Sequence, residues 1–235
     1  MGRKIILIVV VLLGCQFVAL ISLTVVRCFV ESRQIPSTSM QPTIIPGDRV
    51  LFEKVSKWSG HQVERGAIVC LVPPISKPGA PAPGGFDLMR GMGRLTGLPI
   101  FPNEIVYIKR IIAIAGDQVR IEPDVGVYIN GKLVPEPYVS APASYEVSAM
   151  SEICGQGPYG NWLKPYPNDN EPVVVPKGMI FALGDDRNKS DDSHIWGFAS
   201  EDAIIGRAWC LVSPRYLYVH KAYWRRPVLS FFTAD

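Results

Sequence analysis

The segment EIVYIKRIIAIAGDQVRIEPDVGVYINGKLV, residues 104–134, has the pattern of a series of short β-strands. Runs rich in β-branched residues are separated by Gly, Pro and Asp, which is typical of strands joined by turns. Asn130 and Gly131 stand between VYI and KLV and predict a two-residue type I′ hairpin turn. Outside the N-terminus, no long segment shows the periodicity of an amphipathic helix.

Working outward from this segment, nine stretches are predicted as strands because they are short and bounded by turn residues. They are residues 50–55, 67–72, 105–115, 118–121, 125–129, 132–134, 173–175, 179–182 and 204–212. Two Pro- and Gly-rich stretches, 73–104 and 138–172, interrupt them and are predicted as long loops or small subdomains. We therefore expect a mainly β domain of barrel or sandwich type.

The N-terminal stretch Ile5–Val26 contains no charged residue. As a helix it would span about 33 Å, which is enough to cross the hydrocarbon core of a bilayer. No convincing small-x-small cleavage site is present, so an uncleaved transmembrane anchor is favoured over a cleaved signal. Arg3 and Lys4 precede the stretch and favour a cytoplasmic N-terminus, although Arg27 and Arg33 follow it closely.

These features divide the chain into three parts. Residues 1–34 hold the anchor and a juxtamembrane segment, residues 35–214 form the β-rich domain, and residues 215–235 form a tail. The tail mixes aromatic residues with Lys and Arg, a composition that suits contact with membrane lipid. A last strand followed by a tail explains that composition equally well.

Charge and cysteine content exclude some classes of protein. The formal net charge of the 235-residue chain is +3 without a long basic run, so no nucleic-acid partner is expected. The cysteines show neither C-x-x-C nor metal-type spacing, and we expect no metal or organic cofactor. Cys70 and Cys210 lie in apolar runs and are predicted as buried free thiols, with a disulfide left open; the others are Cys15, Cys28 and Cys154.

Three segments carry residues suited to chemistry, and the first is IPSTSMQPTIIPGDRV, residues 35–50. It follows the predicted membrane exit directly and is rich in serine. Its prolines fix the backbone and make a regular central strand improbable, so the run can present a hydroxyl at a defined place. A polar linker leaving the membrane has the same composition.

The second segment places Lys109 inside a strongly apolar strand. Period-two alternation puts Tyr107, Lys109, Ile111 and Ala113 on one face of that strand. Such a lysine is either an edge residue that deters aggregation or a desolvated amine. Desolvation disfavours the ammonium form and lowers the lysine pKa, and a neutral amine can take a proton from a serine hydroxyl.

The third segment, GDDRNKSDDSHIWG at residues 184–197, holds four aspartates and one arginine. A solvated acidic loop or a calcium loop is the plain interpretation, although the Gly and closing Glu of an EF-hand are absent. Pairing of Arg187 with an aspartate would order the loop and let Ser190 or Ser193 point at a catalytic site. A Ser-His-Asp triad through His194 also stays open.

Taken in order, these motifs resemble the type I signal peptidase (leader peptidase) family. Each motif alone is moderately specific, but the whole set in this order is highly specific, and it covers roughly residues 35–72, 105–134 and 173–214. The matching residues are Ser39-Met40-x-Pro42-Thr43, Gly47-Asp48-x-Val50, Arg65-Gly66-x-Ile68-Val69, Tyr107-Ile108-Lys109-Arg110, Gly116-Asp117-x-Val119, Gly184-Asp185-x-Arg187, Ser190-x-Asp192-Ser193, Trp196-Gly197 and Gly206-Arg207-Ala208.

The resemblance implies a β-rich catalytic domain that uses a Ser/Lys dyad. Ser39 would be the nucleophile and Lys109 the general base, and the Ser39 N–H and Ser37 hydroxyl would stabilise the oxyanion. Ser190 would hydrogen-bond the lysine amine, and Asp192 and Arg187 would brace its loop. The substrate would lie as an added strand in a cleft lined by Ile35, Pro36, Met40, Ile44, Tyr107 and Ile108.

The implied activity is removal of signal peptides with Ala-x-Ala sites from exported preproteins. It would take place on the extracytoplasmic side of a plasma, inner or thylakoid membrane. One alternative is a specialised peptidase of the same family that matures pilins or organelle precursors. Others are a self-cleaving Ser/Lys repressor-type protein and a non-catalytic, membrane-anchored β-rich binding domain.

Four positions depart from the family pattern. Asp186 and Asn188 stand where Asn and Asp are usual, an exchange that keeps the charge count. His194 replaces the usual arginine and would make the bracing of the loop pH-sensitive. Ala67 replaces a usual aspartate. None of these positions belongs to the implied dyad.

Overall fold

The computed structural model describes residues 2–56, 63–74, 106–145 and 172–212. The predicted tail 215–235, Cys154 and most of the two predicted loops, 73–104 and 138–172, lie outside the described residues. The elements are α1 (Gly2–Phe29), β1 (Val30–Gln34), β2 (Arg49–Glu53), β3 (Ile68–Leu71), β4 (Tyr107–Ile114), β5 (Gln118–Glu122), β6 (Gly126–Ile129), β7 (Lys132–Leu133), β8 (Val173–Val174), β9 (Met179–Leu183), a 3₁₀ turn (Arg187–Lys189), α2 (Ser193–Trp196), β10 (Ala199–Ser200), a 3₁₀ turn (Glu201–Ala203) and β11 (Ile204–Val212).

The strands form two antiparallel sheets. The seven-stranded sheet has the order β1-β2-β11-β3-β4-β9-β10, and the four-stranded sheet has the order β7-β6-β5-β8. The chain therefore returns at β11 to pair between β2 and β3, which joins its last described strand to its first ones. The prediction of a mainly β domain is confirmed.

Hydrophobic clusters on both faces of the larger sheet hold the two sheets and the loops together. One cluster combines Ile112 and Phe181 of the larger sheet with Val119 and Val127 of the smaller one. Because these side chains are almost completely buried, the two sheets pack on each other through them.

A β-bulge in β4 changes the face that its later side chains occupy. Its pairing with β9 shifts register between Ile111 and Ala113. Tyr107 and Ile111 pack in one cluster, whereas Ala113 joins Ile112 in another. The prediction that Tyr107, Lys109, Ile111 and Ala113 share a face is therefore wrong at Ala113, because a bulge inserts one residue and inverts the alternation beyond it.

All nine predicted strands occur, each within two residues of its expected ends, and two further strands had no sequence signal. The hairpin turn is confirmed, because Asn130 and Gly131 both have the positive φ, 51° and 78°, that a type I′ turn requires. β1 was missed because VESRQ lacks apolar alternation. It is a strand because all of its residues pair with β2. β10 was missed because it has only two residues.

α1 runs into β1 without a loop, and Lys54 fixes the junction. The Lys54 backbone N–H donates to the Phe29 carbonyl at 2.8 Å, and Lys54 Nζ donates to the Arg27 carbonyl at 3.2 Å. Lys54 Nζ also pairs with Glu31 at 2.7 Å.

In the described part of the chain, no helix meets both the length and the hydropathy of a membrane-spanning helix.

Candidate active site

The segment that carries Ser39 is a loop closed on itself between β1 and β2. The Ile35 N–H donates to the Asp48 carbonyl and the Gly47 N–H donates to the Ile35 carbonyl, each at 2.8 Å. Met40 and Ile44 anchor the loop from within, since both are almost completely buried in a cluster with residues of β2 and β3. The loop is therefore tied to the sheet on either side of a half-buried Ser39.

Ser39 makes two polar contacts that define its position. Its Oγ lies 3.3 Å from Ser37 Oγ, so the two hydroxyls share one patch of surface. Its carbonyl accepts a hydrogen bond from the Asp186 N–H at 3.0 Å. Because Asp186 belongs to the acidic loop, this second bond attaches the serine segment directly to that loop.

Lys109 is buried, with only 3% of its surface exposed. It lies opposite Val69 in the pairing of β3 with β4, and its Nζ donates a 2.6 Å hydrogen bond to Ser190 Oγ. Burial lowers the pKa of Lys109, while the negative charges of three aspartates of the acidic loop, Asp192, Asp191 and Asp185, oppose that shift. Of the two interpretations of this lysine, the desolvated amine is confirmed and the exposed edge residue is wrong.

Gly184 is the point at which the lysine partner and the serine segment meet. A Cβ placed on Gly184 would lie 2.5 Å from the Ser39 carbonyl oxygen and 2.6 Å from Ser190 Cβ. The Ser39 carbonyl oxygen and Ser190 Cβ therefore lie close to each other, next to Gly184. Among the described residues no direct hydrogen bond joins Ser39 to Lys109, and Ser190 is the partner of the lysine amine.

A buried ion pair connects the acidic loop to β4 next to Lys109. Arg110 donates to both carboxylate oxygens of Asp185, at 2.8 Å from Nε and 2.6 Å from the terminal nitrogen, and neither side chain is exposed. Arg110 also donates to the Gly66 carbonyl at 2.9 Å. Thr43 Oγ1 donates to the same Asp185 at 2.5 Å, so one carboxylate links the serine segment to the lysine strand.

Arg187 braces the loop through a partner that the sequence did not indicate. Its guanidinium forms a two-point pair with Glu136, with one bond at 2.7 Å, and its Nε donates to the Gly184 carbonyl at 3.1 Å. The expected pairing of Arg187 with a nearby aspartate is therefore wrong. Glu136 also accepts from the Tyr138 hydroxyl at 3.0 Å, and it lies outside every motif.

Asp192 holds the other end of the loop. It accepts from the Gly184 N–H at 2.8 Å, caps α2 through the His194 N–H, and contacts the His194 ring nitrogen Nδ1. The ring of Tyr145 stacks on His194 with a centroid separation of 3.8 Å. Ser193 Oγ accepts from the Ala182 N–H at 2.9 Å and so fixes the backbone of β9, whereas Ser190 accepts from the lysine amine.

The six residues expected to line the substrate cleft fall into two groups. Ile35, Met40 and Ile44 are buried core residues. The other three, Pro36, Tyr107 and Ile108, are exposed or half-buried. The Lys109 amine lies 5.5 Å from the centre of the Tyr107 ring, which brings that part of β4 close to the amine.

Several residues of the site received no role from sequence. Thr43, Arg110 and Asp185 stood inside recognised motifs, so their positions were indicated but their mutual contacts were not. Arg65 and Asp117, also motif residues, form a two-point ion pair with one bond at 2.7 Å.

Of the free cysteines, Cys70 is buried as predicted, but Cys210 is only partly buried.

A family model described as signal peptidase, peptidase S26, matches residues 5–212, which is most of the chain. The chain belongs to the signal peptidase family, peptidase S26. The motif order had indicated this family, and the match confirms it. This signal peptidase family member has its Ser39 loop, its buried Lys109 and its acidic loop all within the matched range.

Named relatives are about one-third identical to this signal peptidase family member over the aligned residues. Probable signal peptidase I-2 of Synechocystis sp. is 35% identical over 199 residues, covering 84% of this chain and 70% of that protein. Thylakoidal processing peptidase 1, chloroplastic, of Arabidopsis thaliana is 34% identical over 180 residues, covering 76% and 40%. A signal peptidase I structure from Enterococcus faecalis is 22% identical and covers 62% of this chain and 96% of its own, but its TM-score of 0.35 is too low to support a structural argument.

Proposed function

We propose that this protein is a serine endopeptidase that removes N-terminal signal peptides from exported preproteins, with Ser39 as nucleophile and Lys109 as general base. The observation that carries the proposal is the buried Lys109 amine, hydrogen-bonded to Ser190 beside the Ser39 segment. Burial makes the neutral amine accessible at moderate pH, which a general base requires. Membership of the signal peptidase family supports the substrate class.

The reaction begins when the Lys109 amine takes the Ser39 hydroxyl proton as Ser39 Oγ bonds to the carbonyl carbon before the cut. The C–N bond then breaks, and the Lys109 ammonium gives the proton to the leaving amine. Water attacks the resulting ester with Lys109 again as base, which releases the signal peptide and regenerates Ser39. The absence of a direct Ser39–Lys109 bond fits this scheme, because catalytic hydrogen bonds are often long before substrate is bound.

We assign the oxyanion site to the Ser39 N–H and the Ser37 hydroxyl. The 3.3 Å separation of the two serine hydroxyls supports this assignment. The Ser37 hydroxyl can turn toward the substrate and still lie beside Ser39 Oγ, the atom that attacks the carbonyl. One such donor is typically worth about 10²–10³ in kcat. Ser190 orients the amine, and Asp192 and Arg187 hold the Ser190 loop through Gly184.

We propose that the signal peptide lies as an added strand along Pro36, Tyr107 and Ile108, above a floor of buried apolar side chains. The floor consists of Ile35, Met40 and Ile44. Because these large side chains already fill the space beneath the cleft, only small residues fit before the cut. This accounts for a preference for Ala-x-Ala sites.

We propose that α1 anchors the protein in a membrane. The N-terminus would lie in the cytoplasm and the catalytic domain, of barrel or sandwich type, on the opposite side. The uncharged stretch Ile5–Val26 supports this, as do the exposed apolar side chains of α1, such as Ile6, Leu13 and Phe17. The short, bonded junction at Lys54 would keep the active site near the lipid surface. One relative is named a signal peptidase I and another a thylakoidal processing peptidase, so a plasma, inner or thylakoid membrane stays open as the location.

The test is cleavage of a purified preprotein followed by sequencing of the new N-terminus. The native chain should cut after Ala-x-Ala, and Ser39→Ala and Lys109→Met should each remain folded but inactive. Ser32→Ala and Lys132→Met are matched controls, since both residues are exposed on strands outside the site. Substantial cleavage by folded Ser39→Ala or Lys109→Met protein would refute the assignment.

A further inference from the structure

A groove of about 600 Å³ lies beside the loop that carries Ser39. The segment that follows Ser39 lines it with Gln41 and Ile45, and the acidic loop lines it with Asp186 and Lys189. This volume is in the range of sites that bind small ligands. The mechanism above gives this space no role.

Hydrogen bonds hold another part of the groove lining in place. Ser140 and Ala141 line the groove, and Asn188 holds that segment in place. The Asn188 side chain accepts from the Ser144 N–H at 2.9 Å and donates to the Pro142 carbonyl at 3.1 Å. The groove is therefore preformed, which lowers the entropic cost of binding an extended chain.

One contact and one sequence neighbour place the groove next to the segments that carry Ser39 and the partner of Lys109. Ser190, the partner of the Lys109 amine, directly follows Lys189 in the chain. The Ser39 carbonyl accepts from the Asp186 N–H at 3.0 Å. A substrate chain that passes Lys109 on this side of the Ser39 segment would meet Lys189 and Asp186 and enter the groove.

The groove also carries a carboxylate that the fold does not use as a helix cap. Asp186 is the N-cap residue of the 3₁₀ turn Arg187–Lys189, but its side chain makes no capping hydrogen bond. Asp186 is half-buried, whereas Lys189 is exposed at the rim. A half-buried carboxylate favours a cationic side chain over an anionic one, and the exposed ammonium has the opposite, weaker preference.

We propose that this groove binds the first residues of the mature chain, on the C-terminal side of the cut, and that Asp186 and Lys189 discriminate among those residues by charge. The inference rests on the proposed function, because a leaving segment exists only if the bond is cut at Ser39. When the C–N bond breaks, the leaving amine receives its proton from the Lys109 ammonium and departs along the groove.

The test uses preprotein peptides that share one signal sequence and differ at a single mature position, first to fourth, occupied by Lys, Gln or Glu. kcat/KM is measured with the native chain, Asp186→Asn and Lys189→Gln. At one or more positions, Asp186→Asn should lower the Lys-to-Glu ratio of kcat/KM about two- to fivefold, the range of an exposed charge pair. Lys189→Gln should raise the same ratio.

Asp191→Asn is the matched control, because Asp191 is an exposed aspartate of the same loop that does not line the groove. It acts electrostatically on Lys109 and should change the rate for all peptides alike, leaving the ratio unchanged. If both Asp186→Asn and Lys189→Gln leave the Lys-to-Glu ratio of kcat/KM unchanged at every position, the groove proposal is overturned. Failure of the native chain to cut any of the peptides would overturn the proposed function as well.

Discussion

Gly184→Ala tests the geometry of the candidate site by adding one methyl group between the Ser39 segment and Ser190, the partner of the Lys109 amine. The new Cβ would lie 2.5 Å from the Ser39 carbonyl oxygen and 2.6 Å from Ser190 Cβ. To reach the 3.4 Å of an ordinary contact, each of these atoms must move by about 0.8–0.9 Å. Gly184 does not have a positive φ, so alanine adds no backbone strain and the effect is steric.

A displacement of this size acts on the proposed dyad twice, at Ser39 directly and at Lys109 through its partner Ser190. A misplacement of about 1 Å can cost around 10²-fold in rate, so kcat/KM for preprotein cleavage should fall by at least that factor. Overpacking should also cost about 1–3 kcal/mol of stability. The measurement is kcat/KM well below the unfolding temperature, together with the free energy of unfolding from denaturant titration.

Gly206→Ala is the matched control, because its Cβ would lie 2.7 Å from the Glu53 carbonyl oxygen, in the pairing of β11 with β2 and away from the dyad. It should lose comparable stability while kcat/KM of the folded fraction stays within about threefold of the native value. The reasoning fails if Gly184→Ala keeps native kcat/KM, or if both variants lose activity equally.

Three further outcomes follow from single contacts. Ser190→Ala removes the partner of the Lys109 amine and should lower kcat about 10- to 100-fold, as expected for a hydrogen bond to a charged or chargeable group; steady-state kinetics would show it, and an unchanged kcat would contradict it. Asp185→Asn leaves Arg110 buried without its counter-charge and should cost about 3–5 kcal/mol in urea unfolding, whereas Glu122→Gln, in a surface pair, should cost under about 1 kcal/mol. Lys109→Met should remove a pH dependence of stability. In the native chain the free energy of unfolding should rise with pH, by up to about 1.4 kcal/mol per pH unit, between the lowered Lys109 pKa and the usual lysine value of about 10.4. In that range the unfolded state still binds a proton that the folded state has lost. Parallel stability curves for the two proteins would refute this.

The strands could be predicted because their signals are local. β-branched runs and Asn130-Gly131 fix strand and turn through the conformational preferences of the residues themselves. β1 carries no such signal, because VESRQ becomes a strand only by pairing with β2, a contact made in three dimensions. The same limit explains Ala113, since a bulge depends on the register of the partner strand and is not visible in the alternation of one strand.

The candidate site divides in the same way. The motif order indicated Ser39 and Lys109 as the candidate dyad, and the burial of the lysine follows from its position in an apolar strand. The pairing of Arg187 with Glu136 could not be predicted, because 51 residues separate them and Glu136 belongs to no motif. The role of Gly184 was equally hidden, since a requirement for no side chain appears only when Ser39 and Ser190 approach from separate segments.

The pH dependence of Ser39 acylation, measured with a serine-reactive probe in the native chain and in Lys109→Met, tests the central claim most directly. We expect the native rate to rise with pH and level off at a midpoint below the usual lysine pKa of about 10.4, because burial lowers the pKa of Lys109. Lys109→Met should react slowly and without that step. A native rate that is flat from about pH 5 to 9, or equal labelling of the two proteins, would contradict a lysine base.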